Sequence, residues 1–224
     1  MFDDRSHRWS RETLTTLTRS ARAAGRGAVV SGRWLVDTII EMAPHLPIRD
    51  AATLSEHHGG LTGARLARSM VKASGKTSAA IGGAAGGVMT FQELSVAGAL
   101  AIPFELAAET ALVILVELKL VAELHNIAGR PLPGGPREWP AAALRSWLSG
   151  RGISPTGVVA SPERGDLLSR GTRTRLAAQV RRRFTRNLAT VGPLMTGAAI
   201  AAWLNRRATV AVGRSLVDDL GLAA

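Results

Sequence analysis

The stretch SMVKASGKTSAAIGGAAGG, residues 69–87, can be read in two ways that lead to different folds. If Gly75-Lys76-Thr77 closes a phosphate-binding loop, the chain is an α/β nucleotide-binding domain; if the stretch is helical, the chain is all-α. The loop requires Gly-x-x-x-x-Gly-Lys-Ser/Thr between a buried strand and a helix whose first amides face the phosphates. Met70 occupies the first glycine position, and the preceding GARLARSMVKA has helical spacing in place of a Val/Ile-rich run. No later apolar run ends in the Asp that would hold magnesium. The stretch therefore reads as helix. Lys72 and Lys76 become a basic collar, and the glycines become packing positions. Gly82 and Gly86 are four apart, as are Gly83 and Gly87, so each pair opens a shallow helix face to a neighbouring backbone; Gly192 and Gly197 are further expected packing positions.

The rest of the chain agrees with that choice. It has no tyrosine and little alternation of β-branched with polar residues, while Ala, Leu and Arg fill the periodic stretches. The spacing predicts a helix from an N-cap at Ser10 toward Met42, interrupted at 25–27 and closed by Pro44 and Pro47. A connector with a short helical piece follows, and a helix opens at Thr62 or Gly63. FELAAETALVILVELKLVAELHNIAG, from Pro103 onward, is a long apolar helix stopped by Gly129 and Pro131. A short amphipathic helix is predicted over 138–150 and a basic one over 166–191, with Gly192-Pro193 as a break before the last helical segment. The predicted fold is an all-α helical bundle: a Gly/Ala-rich apolar central helical hairpin with basic amphipathic flanking helices. Residues 1–43 form the N-terminal basic helix, 44–74 a connector and helix, and 75–224 the remaining helical region, the last two making one domain. With 224 residues, 46% of them hydrophobic, the chain is long enough for a substantial core.

Charge is unevenly placed along the chain. The net charge is +11, and arginine outnumbers lysine 25 to 3. Residues 1–76 hold twelve basic and seven acidic groups, 77–128 one and five, and 129–224 fifteen and five. Two basic arms thus flank an apolar, weakly acidic middle, a pattern suited to a large anionic partner. Arg8, Arg11, Arg19, Arg22, Arg26 and Arg33 fall within about 80° on one helical wheel, opposite Leu14, Leu17, Ala21, Ala24 and Leu35. Arg175, Arg182 and Arg186 repeat the arrangement, opposite Val180, Phe184 and Leu188. Such faces suit anionic lipid, and nucleic acid is the second choice because no helix-turn-helix, zinc ligands or stacking aromatics accompany the charge. A solvated face on a bundle is the plainest alternative.

Catalytic chemistry finds little anchor. The absence of cysteine excludes disulfides and thiolate metal sites and fits a reducing compartment. Glu105, Glu109, Lys119 and Glu123 share one helix face, with Glu117 off it, and carboxylates so placed invite a bridged metal site. That site also needs Glu-x-x-His on neighbouring helices, which is missing, so a solvated or Lys-paired stripe is the preferred reading and a carboxylate metalloenzyme the last alternative. No catalytic residue, cofactor or metal site is expected. The first thirty residues carry arginines and no apolar segment, so no secretory signal is expected. Glu93, Glu105 and Glu109 interrupt any spanning segment over 79–116, while 187–205 is uncharged but rich in Gly and Ala; whether either inserts into a bilayer stays open.

ELKLVAELHNIAG, followed after a basic linker by VGPLMTGAAIAAWLNRRATVAVGRSLVDDL, resembles the EcsC family of bacterial proteins. The likeness covers about 75–220. It rests on a glycine-rich helix, then an apolar helix with Glu123 that ends at Gly129. A later small-residue segment leads to Asn205, Arg206 and Arg207, where the family carries Asn and a basic residue. The family often has Tyr-Gly where this chain has Ala128-Gly129, and the arginine-rich N-terminal helix is no part of the pattern. The resemblance implies a helical, membrane-associated, non-enzymatic accessory protein at the cytoplasmic face of the bacterial inner membrane, or in the cytoplasm. The expected partners are anionic membrane lipid, from the basic faces, and a membrane protein complex, with no oligomeric state specified.

Overall fold

A computed structural model describes residues 4–92, 96–134, 138–149, 174, 178 and 197–223. Among these the chain is all-α and carries no strand. The helices are α1 (Asp4–Ala24), α2 (Arg26–Val30), α3 (Arg33–Met42), a 3-10 turn (Ala43–His45), α4 (Ala51–His57), α5 (Gly63–Gln92), α6 (Val96–Ile127), α7 (Trp139–Ser149) and α8 (Gly197–Asp219). Apart from residues 174 and 178, the basic helix expected over 166–191 lies outside the described residues, with Arg175, Arg182, Arg186 and Gly192. So do the side chains of Arg8 and Arg11 and the surroundings of Gly86, Gly87 and Gly197.

α6 is the axis of the bundle. Apart from its few charged residues it is apolar around its circumference, so no single amphipathic stripe limits it to one neighbour. Leu112, Ile114, Leu115, Leu118, Leu120 and Leu124 are all buried. Around it pack α1, α2, α3, α5, α7 and α8, contributing Leu17, Ala21, Leu35, Ile39, Leu66, Met70, Trp147 and Leu216 to one core. Helix α6 begins seven residues before the expected start at Pro103. Proline lacks the amide for the bond to the carbonyl four residues back and its ring crowds that carbonyl; Pro103 is buried, so its packing offsets part of that cost.

The N-terminal arm departs from the single expected helix. Helix α1 starts at Asp4, which puts Ser10 in its interior and not at a cap. Gly25 at φ +84° and Gly32 at φ +77° then end one helix and begin another, splitting the arm into three. Only glycine adopts that left-handed backbone without strain. The arm therefore wraps α6 in short segments instead of running past it. In the connector, Asp50 caps α4 by accepting the Thr53 amide at 2.7 Å, which holds its carboxyl below the usual range.

Gly75-Lys76-Thr77 lies in the middle of α5, a continuous helix of 30 residues. Its amides are committed to the helix, and Thr77 Oγ1 donates to the Ala73 carbonyl at 3.2 Å. No phosphate loop exists there.

Candidate functional site

The most extensive helix contact pairs α5 with α8, and glycines make it close. The two helices run antiparallel: Val71 meets Gly213, Gly75 meets Val210, and Gly82 meets Ala201. A Cβ at Gly82 would stand 2.9 Å from the Ala201 carbonyl oxygen and 2.7 Å from Asn205 Nδ2. At Gly75 it would stand 2.8 Å from Val210 Cγ2, and at Gly213 2.7 Å from Val71 Cγ2. Each would overlap its neighbour, so glycine is what lets the backbones approach. Gly83 differs: its nearest neighbour would be Ala202 Cβ at 3.9 Å, an ordinary contact.

The glutamates of α6 tie it to the elements packed around it. Glu105 meets Arg22 of α1 at 3.4 Å; burial raises its carboxyl pKa, and the guanidinium pulls it part of the way back. Glu109 accepts from Asn205 Nδ2 of α8 at 2.5 Å, and both side chains are buried. Glu117 accepts from Trp147 Nε1 of α7 at 2.9 Å and from Thr209 Oγ1 of α8 at 3.0 Å. With its only proton turned toward that carboxyl group, Thr209 can accept from Ser78 of α5 at 2.9 Å. Glu123 takes Arg49 through Nε at 2.8 Å and Nη2 at 3.1 Å, and Lys119 Nζ at 2.8 Å. Lys119 also donates to the Pro47 carbonyl, and Asn126 Nδ2 donates to the Arg49 carbonyl at 2.8 Å, so the connector before α4 is tied to the end of α6. Burial lowers the Lys119 pKa against the opposing pull of Glu123.

The glutamate stripe departs from the sequence reading in one respect. The stripe of Glu105, Glu109, Lys119 and Glu123 is Lys-paired at one end, as expected, yet its glutamates are buried and Lys119 is half-buried. The three carboxylates share a face without sharing a site: from Glu105 to Glu123 is about 27 Å along the helix axis at 1.5 Å per residue. Among the described residues no three His, Cys, Asp or Glu side chains gather as metal ligands would. His125 places Nδ1 3.1 Å from the Arg130 carbonyl and Nε2 3.1 Å from Ser146 Oγ, and burial lowers its pKa. His58 sits 2.9 Å from Ser69 Oγ, its pKa lowered mainly by burial and then by Arg49.

Beside the glycine seam lies a cleft of about 460 Å³ between α5 and α8. Its charged lining is Arg68 and Lys72 from α5 with Arg206, Arg214 and Asp218 from α8, and its apolar lining includes Val71, Val210 and Val217. On α8 nearby, Trp203 is 55% exposed and Ile200 39%, and the Arg207 guanidinium lies 5.2 Å over the Trp203 ring. Of the predicted arginines in the N-terminal arm, Arg19, Arg22, Arg26 and Arg33 are exposed, while Leu17, Ala21, Val29 and Leu35 are buried. The break into three helices means that Arg26 and Arg33 do not continue the α1 stripe on one wheel.

Lys72, Arg206 and Arg207 stand out as cations in the sequence, but nothing local brings them together. Arg68 and Lys72 are four apart on one helix, a local signal of a basic face. Their meeting with Arg206 and Arg214 depends on the α5–α8 pairing, which no local pattern reveals. The family-motif residues have plain structural places: Glu123 in the Arg49 clamp, Gly129 at φ +66° behind α6, Asn205 on Glu109, and Arg206 in the cleft. Among the described residues no helix is long and apolar enough to cross a membrane. Comparison with known proteins brings no match, whether to a family model, a curated protein or a solved structure.

Proposed function

We propose that the protein is a peripheral accessory or interaction protein of the cytoplasmic face of a bacterial membrane, held to anionic lipid by arginine-bearing helices. The observation that most supports this is the exposure of Arg19, Arg26 and Arg33 on a helical layer packed on α6 through Leu17, Ala21, Val29 and Leu35. A basic residue near an anionic bilayer contributes about 1 kcal/mol, and the attraction falls off within a Debye length. The net charge of +11 acts in the same direction. The EcsC resemblance implies the same location, and it rests on its own residues alone.

Flotation with phosphatidylglycerol-containing vesicles tests the proposal. Wild-type protein should float at low ionic strength and be released by salt, and a variant with Arg19, Arg26 and Arg33 changed to Glu should stay behind. Arg22 is left out because it also serves Glu105. Protein that ignores the vesicles but binds duplex or single-stranded oligonucleotides with a steep salt dependence would replace this reading with the nucleic-acid one.

A further inference from the structure

We infer that the cleft between α5 and α8 receives the phosphodiester headgroup of an anionic phospholipid, with Trp203 and Ile200 entering the acyl boundary beside it. This rests on the membrane reading above and adds to it a defined contact site.

Charge comes first. The lining carries four cations, Arg68, Lys72, Arg206 and Arg214, against one carboxylate, Asp218. Three of the four are guanidinium groups, whose planar donor pairs match phosphate oxygens. The glycine seam explains why they stand close. With Gly75 against Val210 and Gly213 against Val71, the helix axes approach and bring the basic faces of α5 and α8 to one opening.

The apolar surface then selects the kind of phosphate. Val71, Val210 and Val217 line the same cleft, which suits a group with an apolar continuation better than a free anion. On a helical wheel Ile200, Trp203, Arg206, Arg207, Val210 and Arg214 fall within about 120° of one another, so α8 shows one mixed face. From Ile200 to Arg214 that face is about 21 Å long. A helix lying flat on a bilayer can therefore place its arginines at the phosphates while its aromatic residue sits at the headgroup boundary, where Trp is favoured. Arg207 over the Trp203 ring satisfies both parts of such a surface, a cation toward water and phosphate and a ring toward lipid. A polynucleotide offers no counterpart for Ile200 and the valine floor.

The test uses the full chain with vesicles of phosphatidylglycerol and phosphatidylcholine carrying brominated acyl chains. In a background with Trp9 and Trp139 changed to Phe, part of the tryptophan emission should be quenched on binding, and that part should vanish on adding Trp203→Phe, because the remaining Trp34 and Trp147 are buried in the core. Arg206→Ala with Arg214→Ala should weaken vesicle binding about tenfold or more while leaving the melting curve unchanged. If wild type fails to float, the membrane reading itself falls. If wild type floats, and the Arg19, Arg26 and Arg33 variant is impaired while the cleft variants bind and quench as wild type does, the membrane reading stands and this site is overturned. Release from the vesicles by inorganic phosphate at matched ionic strength, in a manner lost in the Arg206/Arg214 variant, would make the cleft a site for free phosphate and also overturn it.

Discussion

Asn205 Nδ2 donates to Glu109 Oε1 at 2.5 Å, joining the axial helix α6 to α8 across 96 residues of chain, and the same amide lies over Gly82 of α5. One buried side chain thus sits where three helices meet. Replacing it removes a donor from a carboxyl group with almost no access to water. Asn205→Ala should cost about 1–3 kcal/mol in urea unfolding, the usual penalty for removing one hydrogen-bond partner of a buried polar group. A loss well under 1 kcal/mol would mean that the contact contributes little.

Two adjacent glycines should respond in opposite directions. Gly82→Ala gains about 1 kcal/mol of helix propensity but forces a Cβ against the Ala201 carbonyl at 2.9 Å, a backbone atom with nowhere to move. Overpacking of that kind costs about 1–3 kcal/mol, so the net change should be destabilising. Gly83→Ala meets only Ala202 Cβ at 3.9 Å and should be neutral or stabilising by up to about 1 kcal/mol. Thermal melts of the two variants side by side decide the matter.

The Arg49–Glu123–Lys119 cluster is unequal. Glu123 is buried, and Arg49 reaches it with two nitrogens while Lys119 adds one and also serves Pro47. Arg49→Ala should cost about 2–3 kcal/mol, less than the roughly 3–5 kcal/mol of breaking a fully buried pair, because Lys119 remains and Arg49 is partly exposed. Lys119→Met should cost less, since the bidentate partner stays. Chemical denaturation gives the order, and the reverse order would refute the assignment.

Glu105 makes stability depend on pH in a defined direction. Its carboxyl is raised in the folded state, chiefly by burial and in opposition to Arg22. A raised group binds its proton more tightly when folded, so its stabilising contribution is fully present below the unfolded carboxylate pKa and is lost as pH rises through the folded one. Wild type should therefore lose stability relative to Glu105→Gln as pH climbs from about 4 toward neutrality. Arg22→Ala removes the opposing charge and should enlarge that dependence. Melting temperatures across the interval give both results, and parallel curves would exclude the effect.

Trp147 is the indole donor to Glu117 and fills the core between α6 and α7. Trp147→Phe removes the N–H and part of the ring volume and should cost about 2–3 kcal/mol. Trp203→Phe, on an exposed ring, should leave the melting curve within about 0.5 kcal/mol of wild type.

The sequence was most legible where a signal is local. The absence of a phosphate loop follows from Met70 and from helical spacing on both sides of Gly75-Lys76-Thr77, and α5 runs unbroken through them. Gly129 was readable as a stop because a left-handed residue behind a helix favours glycine. The breaks at Gly25 and Gly32 were half legible: an interruption was expected at 25–27, but the second break at Gly32 was not. The burial of the α6 glutamates was not legible at all. A wheel shows which residues share a face but not whether that face meets water, and Glu117, off the stripe, proved as buried as the others.

Helicity, the apolar character of α6 and the basic flanks were determined by the sequence alone, because period, propensity and charge are properties of neighbouring residues. The partner of each helix was decided only in the tertiary structure. Glycines at 75, 82 and 213 became packing sites because α5 and α8 lie antiparallel, and four cations from those helices line one cleft for the same reason. Contacts between residues more than a hundred positions apart are set by shape complementarity and the satisfaction of buried polar groups. Neither leaves a periodic trace in the chain.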